Sequence, residues 1–172
     1  MPADPQAQYA MGQEIDVDIL LTAHHMGHFE FFACPIQHGE KPSGDCFEDH
    51  PLEFVKDPLY GAPKDPNYPN RAYIAPRGVA TNDQVGMSGD FYSFRLKLPD
   101  NVSGELVLLQ WHYLTANSCT FPGYDVYPFP ANWGNMGNSL GLCGTLPPDG
   151  NGVPGELDDH QPILSTWKLC LI

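Results

Sequence analysis

Strand-like alternation combined with frequent proline is the feature that most restricts the fold of this 172-residue chain. Its 18 prolines are spread along the sequence and would interrupt most helices. No stretch keeps the apolar period of roughly 3.6 residues that a helix of about 10 residues or more would show. Four segments instead carry strand patterns: Glu14–Thr22, His28–Cys34, Phe91–Leu98 and Glu105–Tyr113. The sequence therefore predicts an all-β fold, an antiparallel immunoglobulin- or fibronectin-like β-sandwich with long Pro- and Gly-rich loops.

Glycine and proline also mark the connections between these segments. Gly27 is predicted to form a bend between the first two strands, and Pro99–Gly104 a turn between the last two. A strand, a turn and a strand is the simplest account of residues 91–113. Prolines also recur through residues 35–90, so we predict a loop-rich region there, and ordered loops on a β scaffold are frequent binding sites.

Charge and composition exclude several classes of function. The net charge is −13, from 21 acidic and 8 basic residues, which argues against binding nucleic acid. No apolar run reaches the roughly 18 residues of a membrane span, and the N-terminal residues Met1–Pro5 lack the pattern of an export signal. The length predicts a single domain covering residues 1–172.

Five cysteines indicate an oxidising compartment, because no pair has the two-residue spacing of a zinc knuckle. Cys34 and Cys46 flank a short Pro- and Gly-containing loop suited to a local disulfide. Cys119 and Cys143 flank a longer loop, and Cys170 lies two residues from the end. The odd number leaves one thiol unpaired or paired outside the chain, and the sequence leaves the connectivity open.

Two regions are candidates for a functional site. The first is Thr22–Gly27 (TAHHMG), which places histidines at the end of a strand, where a rigid backbone can aim an imidazole at a metal. The second is a loop in which aromatic residues alternate with prolines. Its rings could stack on sugars, or they could only cover the edge of the sandwich. The candidate rings for carbohydrate contact are Tyr124, Tyr127, Phe129 and Trp133.

Three ordered motifs carry a resemblance to a known family. They are Thr22–Cys34 with its TAHHMG start, Cys46–Leu52 (CFEDHPL) and Leu108–Cys119 (LLQWHYLTANSC). Together they resemble the lytic polysaccharide monooxygenases of the chitin-binding type-4 class, and most of all the eukaryotic branch that acts on chitin or cellulose. The likeness extends from about Gly12 to Pro154.

The resemblance implies a copper cofactor held by a histidine brace, in which His25 occupies the position of the second histidine. Weaker candidates, for supporting a copper ligand or occupying the axial position, are His24, Gln110 and Trp167. The family's brace also uses an N-terminal histidine, whereas this chain begins with Met1 and lacks the family's first strand. We therefore expect the chain to lack the N-terminal part of the family domain and half of the brace.

The function implied by the resemblance is copper-dependent oxidative cleavage of chitin or cellulose, inactive or impaired in this chain. A non-catalytic carbohydrate-binding module is the alternative. The expected partner is a polysaccharide, with no nucleic acid and no membrane, and the expected form is a secreted monomer.

Overall fold

The computed structural model describes residues 7–81, 88–117, 119–136 and 140–143, and the backbone of Cys170 and Leu171. In chain order, the elements are β1 (Glu14–Leu21), β2 (His28–Ile36), α1 (Gly44–Glu48), β3 (Glu53–Lys56), β4 (Ala72–Tyr73), β5 (Asp90–Lys97), β6 (Leu106–Leu114), a 3-10 turn (Ala131–Trp133) and β7 (Cys170–Leu171). Within the described ranges, no helix is long and apolar enough to cross a membrane.

The strands form two antiparallel sheets. One has the order β1-β5-β3 and the other β4-β2-β6-β7. The longest pairings are β1 with β5, from Glu14 opposite Lys97 to Leu21 opposite Asp90, and β2 with β6, from His28 opposite Leu114 to Ile36 opposite Leu106. The predicted all-β sandwich is therefore confirmed, and the four predicted strands correspond to β1, β2, β5 and β6.

Alternation within the strands places the core between the sheets. Phe29 and Phe31 of β2 are almost fully buried, as are Tyr92 and Phe94 of β5. The Phe29 ring meets both β5 rings edge-on, with centroid distances of 5.9 Å. Burying one large apolar side chain stabilises the fold by about 1.5 to 3 kcal/mol. These aromatic contacts hold the two sheets face to face.

The connection between β5 and β6 crosses from one sheet to the other. β5 is already paired with β1 on one side and with β3 on the other, so it has no free edge for its successor. β6 pairs with β2 instead. The strand, turn and strand predicted for residues 91–113 are present, but the two strands are not paired with each other.

Two buried aspartates order the loop between β3 and β4. Asp57 accepts hydrogen bonds from the backbone N–H groups of Leu59 and Tyr60, at 3.0 and 2.9 Å. Asp65 accepts one from the hydroxyl of Tyr73 at 2.8 Å. Burial raises the pKa of Asp57, although its backbone hydrogen bonds act in the opposite direction. The proline-rich loop is thus fixed by side chains rather than by a sheet.

Disulfides join Cys34 to Cys46 and Cys119 to Cys143, with Cα–Cα distances of 5.4 and 5.1 Å. The first fastens α1 to the end of β2 and confirms the predicted local pairing. The second is one of the connections that the sequence left open. The backbone of Cys170, in β7, pairs with that of Leu108, in β6. The Cys170 side chain lies outside the described part of the structure.

Replacing Cys34 and Cys46 together by alanine is expected to lower the free energy of unfolding by about 3 kcal/mol. The bridge closes a loop with a sequence separation of 12, so removing it restores entropy to the unfolded chain. Guanidinium denaturation of the double variant and of the oxidised wild type measures the difference. Equal midpoints and slopes would show that the bridge contributes no stability.

Candidate functional site: a histidine turn at one pole of the sandwich

His25 lies at the surface in the turn between β1 and β2. β1 ends at Leu21 in one sheet and β2 begins at His28 in the other, so the turn bridges the two sheets at one end of the sandwich. The His25 side chain is exposed. We call residues Thr22–Gly27 the histidine turn.

The hydroxyl of Tyr113, a buried residue of β6, holds the backbone of the histidine turn. It accepts a hydrogen bond from the His25 N–H and donates one to the Met26 carbonyl, both at 2.8 Å. Burial raises the pKa of Tyr113 to about 12, so the hydroxyl keeps the proton that it donates. The His25 carbonyl accepts a further hydrogen bond from the N–H of Ala116 at 3.0 Å. Both backbone groups of His25 are therefore fixed, while its imidazole remains open.

Two residues of the turn have left-handed backbone angles. Met26 has φ = 57°, a conformation that costs a non-glycine residue roughly 1 to 2 kcal/mol. Gly27 has φ = 101°, and a Cβ at this position would collide with the carbonyl oxygen of Leu114. Glycine is needed at position 27 because the turn passes directly over the end of β6.

His24 braces the turn through both of its ring nitrogens. Its Nε2 lies 3.0 Å from the carbonyl oxygen of Ala75, and its Nδ1 accepts the N–H of Met26 at 3.1 Å. A carbonyl can only accept, so this network assigns the neutral tautomer with the proton on Nε2. Neither nitrogen of His24 is left for a metal in this conformation. The ring supports the turn that carries His25.

His28, at the start of β2, is fully buried and cannot act as an accessible ligand. Its Nδ1 is hydrogen-bonded to the hydroxyl of Tyr124 at 2.8 Å. Its Nε2 lies 3.5 Å from Glu30, longer than a well-formed hydrogen bond. Burial lowers the pKa of His28, which outweighs the attraction of Glu30 for a proton. The imidazole therefore stays neutral and fixes the loop above the sheet.

Exposed and mostly polar residues lie in the histidine turn and on the segments that contact it. Thr22 and Ala23 are exposed in the histidine turn, and Asn117 is exposed just after β6. Arg77 lies in the loop that receives the His24 hydrogen bond; its side chain is 71% exposed and lies 4.0 Å from Asp90. We call these four residues and His25 the polar pole. Thr22, Arg77 and Asn117 carry hydrogen-bonding side chains and lie in the histidine turn or on segments hydrogen-bonded to it.

The aromatic loop does not form part of this surface. Tyr124, Tyr127 and Trp133 are only 3%, 7% and 3% exposed, and Phe129 is partly buried. The rings cover the outer face of the β4-β2-β6 sheet, where Tyr127 stacks on Tyr73 at a centroid distance of 3.9 Å. The burial of these rings argues against the hypothesis that the loop offers them to a polysaccharide, because those faces are used in packing. It favours the alternative, that the rings cover the sandwich, and carbohydrate contact by this loop stays a prediction.

The other predicted site residues are not brought to His25. Gln110 lies opposite Phe32 in the middle of β6, six residues before Ala116, whose N–H contacts the histidine turn. At about 3.3 Å per residue, the two positions are roughly 20 Å apart along the chain. Trp167 lies outside the described residues. The sequence analysis did not identify Tyr113 or Arg77. It placed Tyr113 at the end of a predicted strand, but nothing in the local pattern indicates the target of its hydroxyl.

The donor set fits copper in part. An exposed imidazole is a good ligand for copper, and the fixed backbone of His25 would limit how far the ring can move. Across residues 7–81, 88–117, 119–136 and 140–143, no three His, Cys, Asp or Glu side chains are grouped closely enough to hold a metal. His25 therefore stays a predicted ligand that has no two further His, Cys, Asp or Glu side chains grouped with it in this part of the chain.

The sequence matches the family model described as lytic polysaccharide mono-oxygenase, cellulose-degrading, over residues 2–126. The chain belongs to this family. No curated protein matches it. A solved structure described as lytic polysaccharide monooxygenase AA15 from Thermobia domestica in the Cu(I) state is similar, with 26% identity and a TM-score of 0.50. The match covers 70% of this chain and 52% of that one, so this family member spans about half the length of its structural relative.

Proposed function

We propose that this chain, a single domain, takes part in copper-dependent oxidative cleavage of a polysaccharide, with His25 as a copper ligand. The proposal rests on the histidine turn in a chain that belongs to this family. Three hydrogen bonds, two with the Tyr113 hydroxyl of β6 and one with the N–H of Ala116, fix the backbone of the turn that carries the exposed His25 imidazole. When bound, copper supplies the one-electron redox chemistry that activates an oxygen species against a C–H bond. The chain's own share is to aim the ligand and to receive the polymer.

Tyr113 and His24 act on the ligand without touching the metal. Tyr113 bonds the His25 N–H and the Met26 carbonyl, and His24 connects the same turn to the Ala75 carbonyl. Groups that orient a metal ligand typically contribute about 10- to 100-fold to metal affinity. Both residues are therefore proposed as positioning residues for His25.

The polar pole is the proposed contact surface for chitin or cellulose. Its residues lie in the histidine turn and on segments hydrogen-bonded to it, so a polymer bound there would place its glycosidic linkages near a metal held by His25. Arg77 provides guanidinium N–H donors that suit sugar hydroxyl groups. The two disulfides support secretion, since such bonds persist in oxidising compartments. A carbohydrate-binding module without catalysis is the second candidate, because the same surface would bind a polymer without any metal.

Arg77→Ala is expected to weaken retention on insoluble chitin or cellulose several-fold, while Lys41→Ala leaves it unchanged. Both cations are exposed, but Lys41 follows the far end of β2, away from the polar pole. A pull-down with binding isotherms for the wild type and both variants measures the effect. Equal retention of the Arg77 variant and the wild type would exclude this part of the pole as the contact surface.

Product analysis separates the two candidate functions. The copper-loaded chain is incubated with either polymer, a reductant and peroxide, and soluble products are examined for oxidised ends. The expected impairment of catalysis stays a prediction, which rests on His25 being a single imidazole. Oxidised oligosaccharides that disappear in His25→Ala would support the enzyme and contradict the impairment. Binding without oxidised products would favour the module.

A further inference from the structure

We propose that Asn101 is an acceptor for N-linked glycosylation. Asn101, Val102 and Ser103 form an Asn-x-Ser triplet whose middle residue is not proline, the pattern that the oligosaccharide transferase recognises. It is the sole Asn-x-Ser/Thr triplet of this kind in the 172-residue sequence. The triplet lies in the connection between β5 and β6, which crosses from one sheet to the other.

The structure presents the two recognised residues and anchors the one between them. Asn101 and Ser103 are exposed, whereas Val102 is 8% exposed and belongs to the main apolar core. The Asn101 side chain makes no hydrogen bond with any residue in the described ranges. A sugar attached to its amide would therefore displace no hydrogen bond of Asn101 to the described part of the chain. A glycan added before folding could remain in place afterwards without strain.

The acceptor lies at the opposite end of the sandwich from His25. β5 begins at Asp90, which pairs with Leu21 beside the histidine turn, and it ends at Lys97 shortly before the triplet. Eight strand residues at about 3.3 Å each separate the two ends by roughly 25 Å. A glycan on Asn101 would leave the polar pole free for a polymer.

The surface next to Asn101 is one that a glycan would usefully cover. Met11 is 58% exposed there, and it borders a small apolar hollow that reaches under the β5–β6 connection. The hollow is lined mainly by Tyr9, Met11, Leu98, Pro99, Val102 and Val107. Exposed apolar patches favour association between molecules, and a hydrated oligosaccharide above the hollow would oppose it.

The two disulfides provide independent support for the route that this modification needs. In eukaryotic cells, structural disulfides form in the endoplasmic reticulum, the compartment in which N-linked oligosaccharides are transferred. In the transfer, a bond forms between Asn101 Nδ2 and the anomeric carbon of a lipid-diphosphate-linked oligosaccharide. The anomeric C–O bond breaks, the lipid diphosphate leaves with the bonding electrons, and the amide nitrogen loses one proton.

Expression of the full chain in insect cells, behind a cleavable leader, tests the proposal. Mass spectrometry before and after treatment with peptide N-glycosidase should show one oligosaccharide on the wild type. Asn101→Gln and Ser103→Ala should lack it, whereas Ser103→Thr, which preserves the triplet, and Asn132→Gln, a matched exposed asparagine outside any triplet, should retain it.

Transfer precedes folding, so the cell lysate and the medium are both examined, and a variant that is not secreted remains informative. An unmodified wild type in both fractions would overturn the proposal, and so would a glycan that persists in Asn101→Gln. Loss in Ser103→Ala together with retention in Ser103→Thr would establish that the triplet, rather than local structure, directs the modification.

Discussion

Tyr124→Ala is expected to lower the free energy of unfolding by about 3 to 5 kcal/mol, the range for truncating a large buried aromatic side chain. The Tyr124 ring is 3% exposed and meets Tyr73 edge-on at 5.2 Å. Its removal also takes the hydroxyl from Nδ1 of His28, and an unsatisfied buried polar group adds to the loss. Urea or guanidinium denaturation of the variant and the wild type measures the effect.

A matched control lies two residues further along the same loop. Val126 is 69% exposed, so Val126→Ala should change the free energy of unfolding by less than about 0.5 kcal/mol. Tyr124→Phe keeps the ring and loses only the hydroxyl, and it should fall between the two, at roughly 1 to 3 kcal/mol. If Tyr124→Ala kept full stability but lost retention on a polysaccharide, the ring would be a contact residue and its burial here would be contradicted.

Gly27→Ala is expected to destabilise the fold by at least about 2 kcal/mol and to weaken copper binding at His25. Alanine tolerates φ = 101° poorly, and its Cβ would collide with the carbonyl oxygen of Leu114. The histidine turn and the end of β6 would have to separate, which breaks the contacts that Tyr113 and Ala116 make to His25. Thermal denaturation and copper titration of the variant test the two effects.

Gly39→Ala is the control that separates the cost of a positive φ from the cost of the collision with Leu114. Gly39 has φ = 85°, close to that of Gly27, but a Cβ added there would meet nothing within 4 Å. Its substitution should cost roughly 1 to 2 kcal/mol and leave copper binding unchanged. If the two variants lost equal stability, the close approach of the turn to Leu114 would have no energetic consequence.

The sequence predicted the long strands because their information is local. In β1, polar Asp16 and Asp18 alternate with buried Ile15 and Ile19, and this pattern identifies a half-buried strand without knowledge of its neighbours. β3 and β4 were missed because they contain four and two residues within proline-rich sequence. The local pattern also could not predict which strands pair. One of the two partners of β5 is β1, which lies about 70 residues earlier in the chain.

Within the candidate site, the sequence located His25 through its motif but not the contacts that hold it. Tyr113 reaches the turn across a separation of 88 residues, so only the folded pairing of β6 with β2 reveals the contact. For the aromatic loop, the sequence located the residues but left two interpretations of their role open. Rings alternating with prolines look the same in a sugar-binding loop and in a cover over a sheet. In the folded chain the Tyr124 ring packs against the rings of Tyr73 and His28, and this packing favours a cover over the sheet.

Titration of the 172-residue chain with Cu(II), followed by calorimetry and electron paramagnetic resonance, tests the central claim that His25 is the copper ligand. His25→Ala should lower the affinity at least about tenfold and remove the nitrogen hyperfine coupling of that imidazole from the spectrum. His38→Ala is the matched control, because His38 is also exposed but lies beyond the far end of β2. The His38→Ala variant should bind copper with the affinity of the wild type. Unchanged affinity and spectrum in His25→Ala would contradict the assignment.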